Sequence, residues 1–373
     1  MLHLTVSLSG SGYHPASWRV SRLPPGPGAA ELRKMAITAE RGKLDAVLFG
    51  LPVDGSAGPG KINTLPLDPL PLLGSMIGAT RRLGLAAAWT VDYTEPFHVA
   101  RVFATLDHLS YGRTAWIADM FGTDFLTPRI GKPPEAVGVA GYCERAGEFI
   151  DVVRKLWDSW EDAAFALDKA SGMFVDPERV HPLHHAGTFF TVRGPLNVPR
   201  PPQGYPLLVL HDPTDALGRE FAAANADVIL SSCESLTQAC ARSRELRALA
   251  TAKGRSDDDL RILATIGAVL GATDSAAQRR AAELDAMLPP AVGLRFVGTP
   301  EGLVELFARW QQERACDGFN LLPAVLPDDL DLLVEAVVPL AQRRGLFRTD
   351  YAGTTLREHF GLKRPPSQYE GRA

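Results

Sequence analysis

The run His211-Asp212-Pro213-Thr214-Asp215 holds the residue types whose chemistry is easiest to read in this chain. Asp212 followed by Pro213 has the form of a helix N-cap with Pro at the first helical position. Asp215 then falls at the third position, a capping-box-like arrangement. An open helix N-terminus binds phosphate because its amides are unsatisfied and its dipole end is positive. Two carboxylates at that end consume the amides and repel a dianion, and one like-charge contact at about 4 Å costs roughly 4 kcal/mol at an effective dielectric of 20. His14, within GYHPASWR, follows the first apolar run and is a candidate catalytic residue. Imidazole changes charge near neutral pH, and the competing reading is a plain loop cap. His14, Asp119, Asp212 and Asp215 are the groups that could move protons without a cofactor. His181, His184 and His185 lie in a Pro-rich loop without Cys or a carboxylate at ligand spacing, which favours structural roles and no metal. The glycines of SGSG, Gly10 and Gly12, lack the context of a dinucleotide fingerprint, and no P-loop occurs.

Positioning these groups requires a frame, and the chain supplies one by alternating strands with helices. Apolar, branched runs of strand length lie at Leu2–Ser9, Ala46–Phe49, Leu85–Val91, Thr114–Ala118, Pro206–Leu210, Asp227–Leu230, Arg261–Leu270 and Gly318–Leu322. Pro96 opens a helix with apolar positions Val99, Val102, Phe103, Leu106 and Leu109, Gly112 ends it, and Asp107 to Leu109 fixes its end. Eight such units predict an α/β fold, a TIM-type (β/α)8 barrel with its site at the C-terminal ends of the strands. His98 falls near that rim. Residues 1–373 read as a single domain, with long connections at Leu51–Asp68 and Phe121–Gly141 and an insertion at 160–204. The tail 345–373 has no apolar period and is expected to wrap the surface or a neighbouring subunit. Trp89, Trp116, Phe121 and Phe125 either line an apolar pocket at the barrel mouth or belong to its core.

Composition narrows the partners. The 39 basic and 43 acidic residues leave a formal charge of −4 with no run of Lys or Arg to track a phosphate backbone, so nucleic acid is not expected. The start, MLHLTVSLSG, has no basic leader and too short an apolar run to span a membrane, which predicts a first strand and a cytoplasmic protein. Cys143, Cys233, Cys240 and Cys316 form neither a CxxC pair nor a disulfide framework.

The words EPFHVAR and ATLDHLSYGR followed by AW closely resemble the bacterial-luciferase-like flavin monooxygenases. Within them, the match is to the branch of nitrilotriacetate, dibenzothiophene-sulfone and long-chain-alkane monooxygenases. RGPLNVPRPPQG and RRGLFRTDYAGTTLRE extend the resemblance along nearly the whole chain. It implies an enzyme that takes reduced FMN from a separate reductase, activates oxygen and inserts one atom into a small organic substrate. It also implies a homodimer. Carried over residue by residue, it makes His14 a site residue and places Trp116, Tyr142, Thr214 and Asp215 against the cofactor. Several positions depart from the family pattern. Leu51 stands where an acidic residue faces the flavin, Ile117, Met120 and Phe121 replace Asn, Thr and Ser, and Gly138 replaces a His four residues before Tyr142. The turn at 211–215 replaces one that donates to the FMN phosphate. Each flavin acceptor left without its donor costs about 1 to 3 kcal/mol. The departures open a second reading, a barrel with weak or lost FMN binding that serves as a binding or partner subunit.

Overall fold

Buried parallel strands show as short continuous apolar runs, and each run read above forms one. The computed structural model describes residues 1–24, 26, 28–50, 67–119, 138–290 and 293–370. Its strands are β1 (His3–Leu8), β2 (Ala46–Phe49), β3 (Gly84–Thr90), β4 (Thr114–Asp119), β5 (His185–Ala186), β6 (Thr191–Val192), β7 (Leu207–His211), β8 (Val228–Ser231), β9 (Arg261–Leu270), β10 (Arg295–Gly298) and β11 (Gly318–Pro323). Eight of them pair in parallel in the order β9-β11-β1-β2-β3-β4-β7-β8, and pairing of β8 with β9 closes the ring. The fold is a TIM-type barrel.

Alternation along the strands divides the barrel interior from the helix-facing core. Ala46, Leu48, Ala86, Ala115, Ile117, Leu207, Val209, Val228, Leu230 and Leu263 form the interior cluster. Their neighbours Trp116, Leu208, Leu210 and Ile229 pack outward with Val99 and Phe103 of helix Pro96–Ser110 and with Phe149 and Val153 of helix Gly138–Asp158. Two features exceed the expected eight strands. β9 runs past the ring, so its far end pairs Gly267 with Arg295 of the four-residue β10. The insertion carries the antiparallel pair β5–β6, held to helix Gly138–Asp158 because Glu148 accepts bonds from His185 Nε2 and from the amides of Phe189 and Phe190.

The tail does not simply wrap the surface. Thr355 and Glu358 form a capping box that starts the helix Leu356–His359. Leu356, Phe360 and Leu362 join the interior cluster, and the Leu356 amide donates to Gly112 O just before β4. The tail therefore plugs the N-terminal end of the barrel. The connections expected at Leu51–Asp68 and Phe121–Gly141, and with them Leu51, Met120, Phe121 and Phe125, lie wholly or mostly outside the described residues.

Helix Pro96–Ser110 ends at this plugged end, with Tyr111 and Gly112 both at positive φ. Asp107 is buried there in the expected role of fixing the helix end, whereas Leu109 is exposed. Asp107 accepts from Gln203 Nε2 at 2.7 Å and from the amides of Thr114 and Gln203 at 3.2 Å. Burial outweighs these bonds and pushes its carboxyl from 3.8 up to about 6. Because the folded value lies above the unfolded one, the stability linked to this group is complete below the unfolded value and is lost as pH rises through the folded one. Two units amount to about 3 kcal/mol. Asp107→Asn is expected to remove that component. In urea denaturation, the stability difference between variant and wild type shifts by about 2 kcal/mol in the variant's favour between roughly pH 4 and pH 7. Parallel pH curves would refute this account.

Candidate active site at the C-terminal rim

At the end of β7, Leu207 and Val209 face the interior, and the same alternation points His211 into the mouth of the barrel. His211 Nε2 is buried and has no hydrogen-bond partner among the described residues. Desolvation pushes its pKa down to about 4, so the ring is neutral near pH 7. A neutral imidazole with a bare nitrogen is poised to exchange a hydrogen bond with a bound molecule. One layer deeper in the barrel, Ile117 pairs with Val209 on one side and Ala88 on the other, giving an apolar floor below His211.

The next residues correct the expected cap. Asp212 is not an N-cap. It turns outward, where Arg242 Nη1 donates to it at 2.6 Å and Ser231 Oγ at 3.0 Å. Burial nevertheless raises the Asp212 pKa. With Asp212 held by the neighbouring helix Leu236–Ala252, the helix after β7 starts three residues later than expected, as Ala216–Asn225. Asp215 is its N-cap and accepts from the Gly218 amide at 2.7 Å. Thr214 is exposed, and its carbonyl accepts from Arg219 Nη1 at 2.6 Å. One carboxylate, rather than two, closes this helix end.

Tyr142 lies in the first turns of helix Gly138–Asp158, partly buried against the helix-facing core. The adjacent Cys143 thiol has its pKa raised by burial and by the charge of Asp215, so this helix start and that of Ala216–Asn225 stand side by side. Trp116 is not brought to this group. It is 1% exposed and packs outward between Phe103 and Phe149, with ring centroids 6.0 Å from each, while its Nε1 donates to Trp89 O at 3.1 Å. Since β4 turns Ile117 inward, its neighbour must face the helices.

His14 follows β1 on the same rim as Thr214. Its Nδ1 accepts from the Ala16 amide at 3.1 Å, which leaves Nε2 to donate to Asp285 Oδ1 at 3.0 Å. The other Asp285 oxygen accepts from Arg295 Nη1 at 2.7 Å. Burial lowers the His14 pKa more than Asp285 raises it. Both ring nitrogens are thus engaged, and neither is presented as a free acid or base. In the interior, Asn320 accepts from Thr5 Oγ1 at 3.1 Å and Ser7 Oγ at 3.0 Å, while its Nδ2 has no partner among the described residues. Asn320 and Arg295 were missed in the sequence. An Asn inside the apolar run GFNLLP was a usable signal, because a buried amide requires partners. His181 bonds Glu161 and stacks on Tyr369, and His185 bonds Glu148, so both hold the insertion in place.

The model of the luciferase-like monooxygenase family matches residues 6–316. The chain belongs to that family. It is 34% identical to N-acetyl-S-(2-succino)cysteine monooxygenase of Bacillus subtilis over 439 aligned positions, covering 99% of this chain and 98% of the relative. That alignment is longer than the chain, so the relative carries insertions that this luciferase-like protein lacks. Nitrilotriacetate monooxygenase component A of Aminobacter aminovorans is 31% identical with 95% of each chain covered, which agrees with the branch read from the sequence. EDTA monooxygenase from Chelativorans superposes with a TM-score of 0.86 at 27% identity, covering 98% of this chain and 99% of that one. Against the flavin that this family implies, the bare His211 nitrogen above the apolar Ile117–Val209 layer fits the needs of a flavin ring. The Asp215 carboxylate at the start of the helix Ala216–Asn225 does not fit a phosphate at that helix end.

Proposed function

We propose that this protein is the oxygenase component of a two-component monooxygenase that takes reduced FMN from a separate reductase and inserts one oxygen atom into a small organic substrate. The observation that carries the reading is full-length correspondence to proteins named as monooxygenases, in sequence and in fold. It favours an enzyme over a partner subunit that has lost flavin binding. Bound flavin would supply the oxygen chemistry, and the protein's own work is to hold the ring, exclude water and aim the substrate. Ile117 and Val209 would give the ring an apolar bed and His211 a neutral hydrogen-bond partner, and the resemblance assigns Tyr142 and Thr214 to the phosphate. Function as a homodimer in the cytoplasm belongs to the same proposal, and no helix among the described residues is long and apolar enough to cross a membrane.

The test combines anaerobic titration with reduced FMN and turnover under 18O2 with a flavin reductase, NADH and a panel of small organic acids, sulfides and sulfones. Reduced FMN is expected to bind more tightly than oxidised FMN, with one 18O atom entering a product. No binding of either flavin form and no labelled product across the panel would overturn the reading.

A further inference from the structure

Arg295 is a cation of this rim that is only partly satisfied among the described residues. It stands at the start of β10, opposite Gly267 in the register with β9, and lines a small cleft with Tyr13, His14, Val269 and Leu322. Guanidinium has five N–H donors and no acceptor. Nη1 is committed to Asp285, whereas Nη2 is buried and has no partner among the described residues. Leaving a buried cationic donor unmade is costly, and native structures seldom do so without a ligand, an ordered water or a functional reason.

The surroundings hold that donor in place. The Ala16 amide fixes His14, His14 Nε2 fixes one oxygen of Asp285, and the other oxygen fixes Nη1. The guanidinium is thereby oriented by a chain of bonds that leaves its second nitrogen free. Asp285 is the carboxylate that pairs with Arg295 among the described residues, and its two oxygens are divided between Arg295 and His14. Val269, Leu322 and Ala324 give the cleft apolar walls, which strengthen a charge-assisted bond made inside it.

We propose that Arg295 binds a carboxylate of the substrate, with His14 and Asp285 as its positioning residues, so that this oxygenase acts on organic acids. The inference rests on the oxygenase reading for the word substrate, but the anion site is testable by binding alone. Succinate is the probe, with succinamide as its uncharged counterpart, titrated calorimetrically into the full-length protein. Wild type is expected to bind succinate and not succinamide. Arg295→Gln is expected to weaken succinate about 10- to 100-fold, the loss of one charged hydrogen bond.

Asp285→Asn guards against a merely structural role. It removes the carboxylate that orients the guanidinium, so it is expected to weaken succinate binding several-fold with little change in the urea midpoint, whereas a structural Arg295 would shift the midpoint and leave succinate binding unchanged. Equal binding in wild type and in folded Arg295→Gln, no weakening in folded Asp285→Asn, or equal binding of succinamide would overturn the proposal. FMN and riboflavin titrations identify the source of the anion. If Arg295→Gln erases a preference for FMN over riboflavin, the residue serves the flavin phosphate and the substrate assignment fails. If succinate binds in an Arg295-dependent manner while no flavin form binds, the anion site stands and the oxygenase reading falls.

Discussion

Asp215→Ser combined with Ile117→Asn is expected to tighten FMN binding by about 2 to 4 kcal/mol, roughly 30- to 700-fold, if both sites are shielded from water, and by less if solvent screens them. In the proposed mode of binding, the two changes would act at opposite ends of the ligand. Ser remains a good N-cap, so the Gly218 amide can keep a side-chain acceptor and the helix Ala216–Asn225 its start, while the charge opposing the phosphate disappears. Asn in place of Ile117 gives the inward floor beside Val209 one donor and one acceptor. Ile117 is fully buried, so that amide lacks partners without ligand and the variant loses stability, which FMN then restores. Titration with riboflavin separates the ends: Asp215→Ser alone should help FMN and leave riboflavin unchanged. Tight stoichiometric FMN in wild type, or no gain in a folded double variant, would show that the phosphate does not meet Asp215.

The frame of this site was legible because each barrel strand is buried on both faces and reads as a short apolar run whatever the rest of the chain does. β10 was not legible, since four residues beginning with Arg295 carry no strand pattern and exist as a strand through their pairing with β9. The helix after β7 shows why a local rule can miss. Asp212-Pro213 has good capping chemistry, yet Arg242, 30 residues away in sequence, takes the Asp212 carboxylate and moves the cap to Asp215. Resemblance located β4 but not the face of Trp116, which strand parity decides. The tail held a readable signal in TTLRE, a capping box ahead of Leu356, although its three plugging residues have too little period to stand out. The assembly of His14, Asp285 and Arg295 spans 271 residues between the first two, and no spacing rule reaches that far.

Arg357→Ala is expected to cost about 3 to 5 kcal/mol of stability, the usual result of removing one partner of a buried ion pair. Arg357 is 4% exposed. Its Nη1 and Nη2 donate to the two oxygens of Asp227 at 3.1 and 2.8 Å, its Nε to Tyr205 O at 2.9 Å, and its amide to Gln203 Oε1 at 2.9 Å. Asp227 in turn accepts from the Leu208 amide, so the pair ties the tail to the starts of β7 and β8. Arg154 and Arg255 also act on Asp227 and would offset part of the loss, which places the outcome toward the lower end of the range. Asp227→Asn keeps an acceptor for Leu208 while removing the charge, so adding it to Arg357→Ala should recover part of the deficit in urea denaturation. The dependence on protein concentration tells which surface the tail serves. A plug within one barrel gives the same deficit at every concentration, whereas a tail wrapped on a second copy gives a deficit that shrinks as concentration rises. A deficit below about 1 kcal/mol would mean that Leu356, Phe360 and Leu362 hold the plug in place without this ion pair.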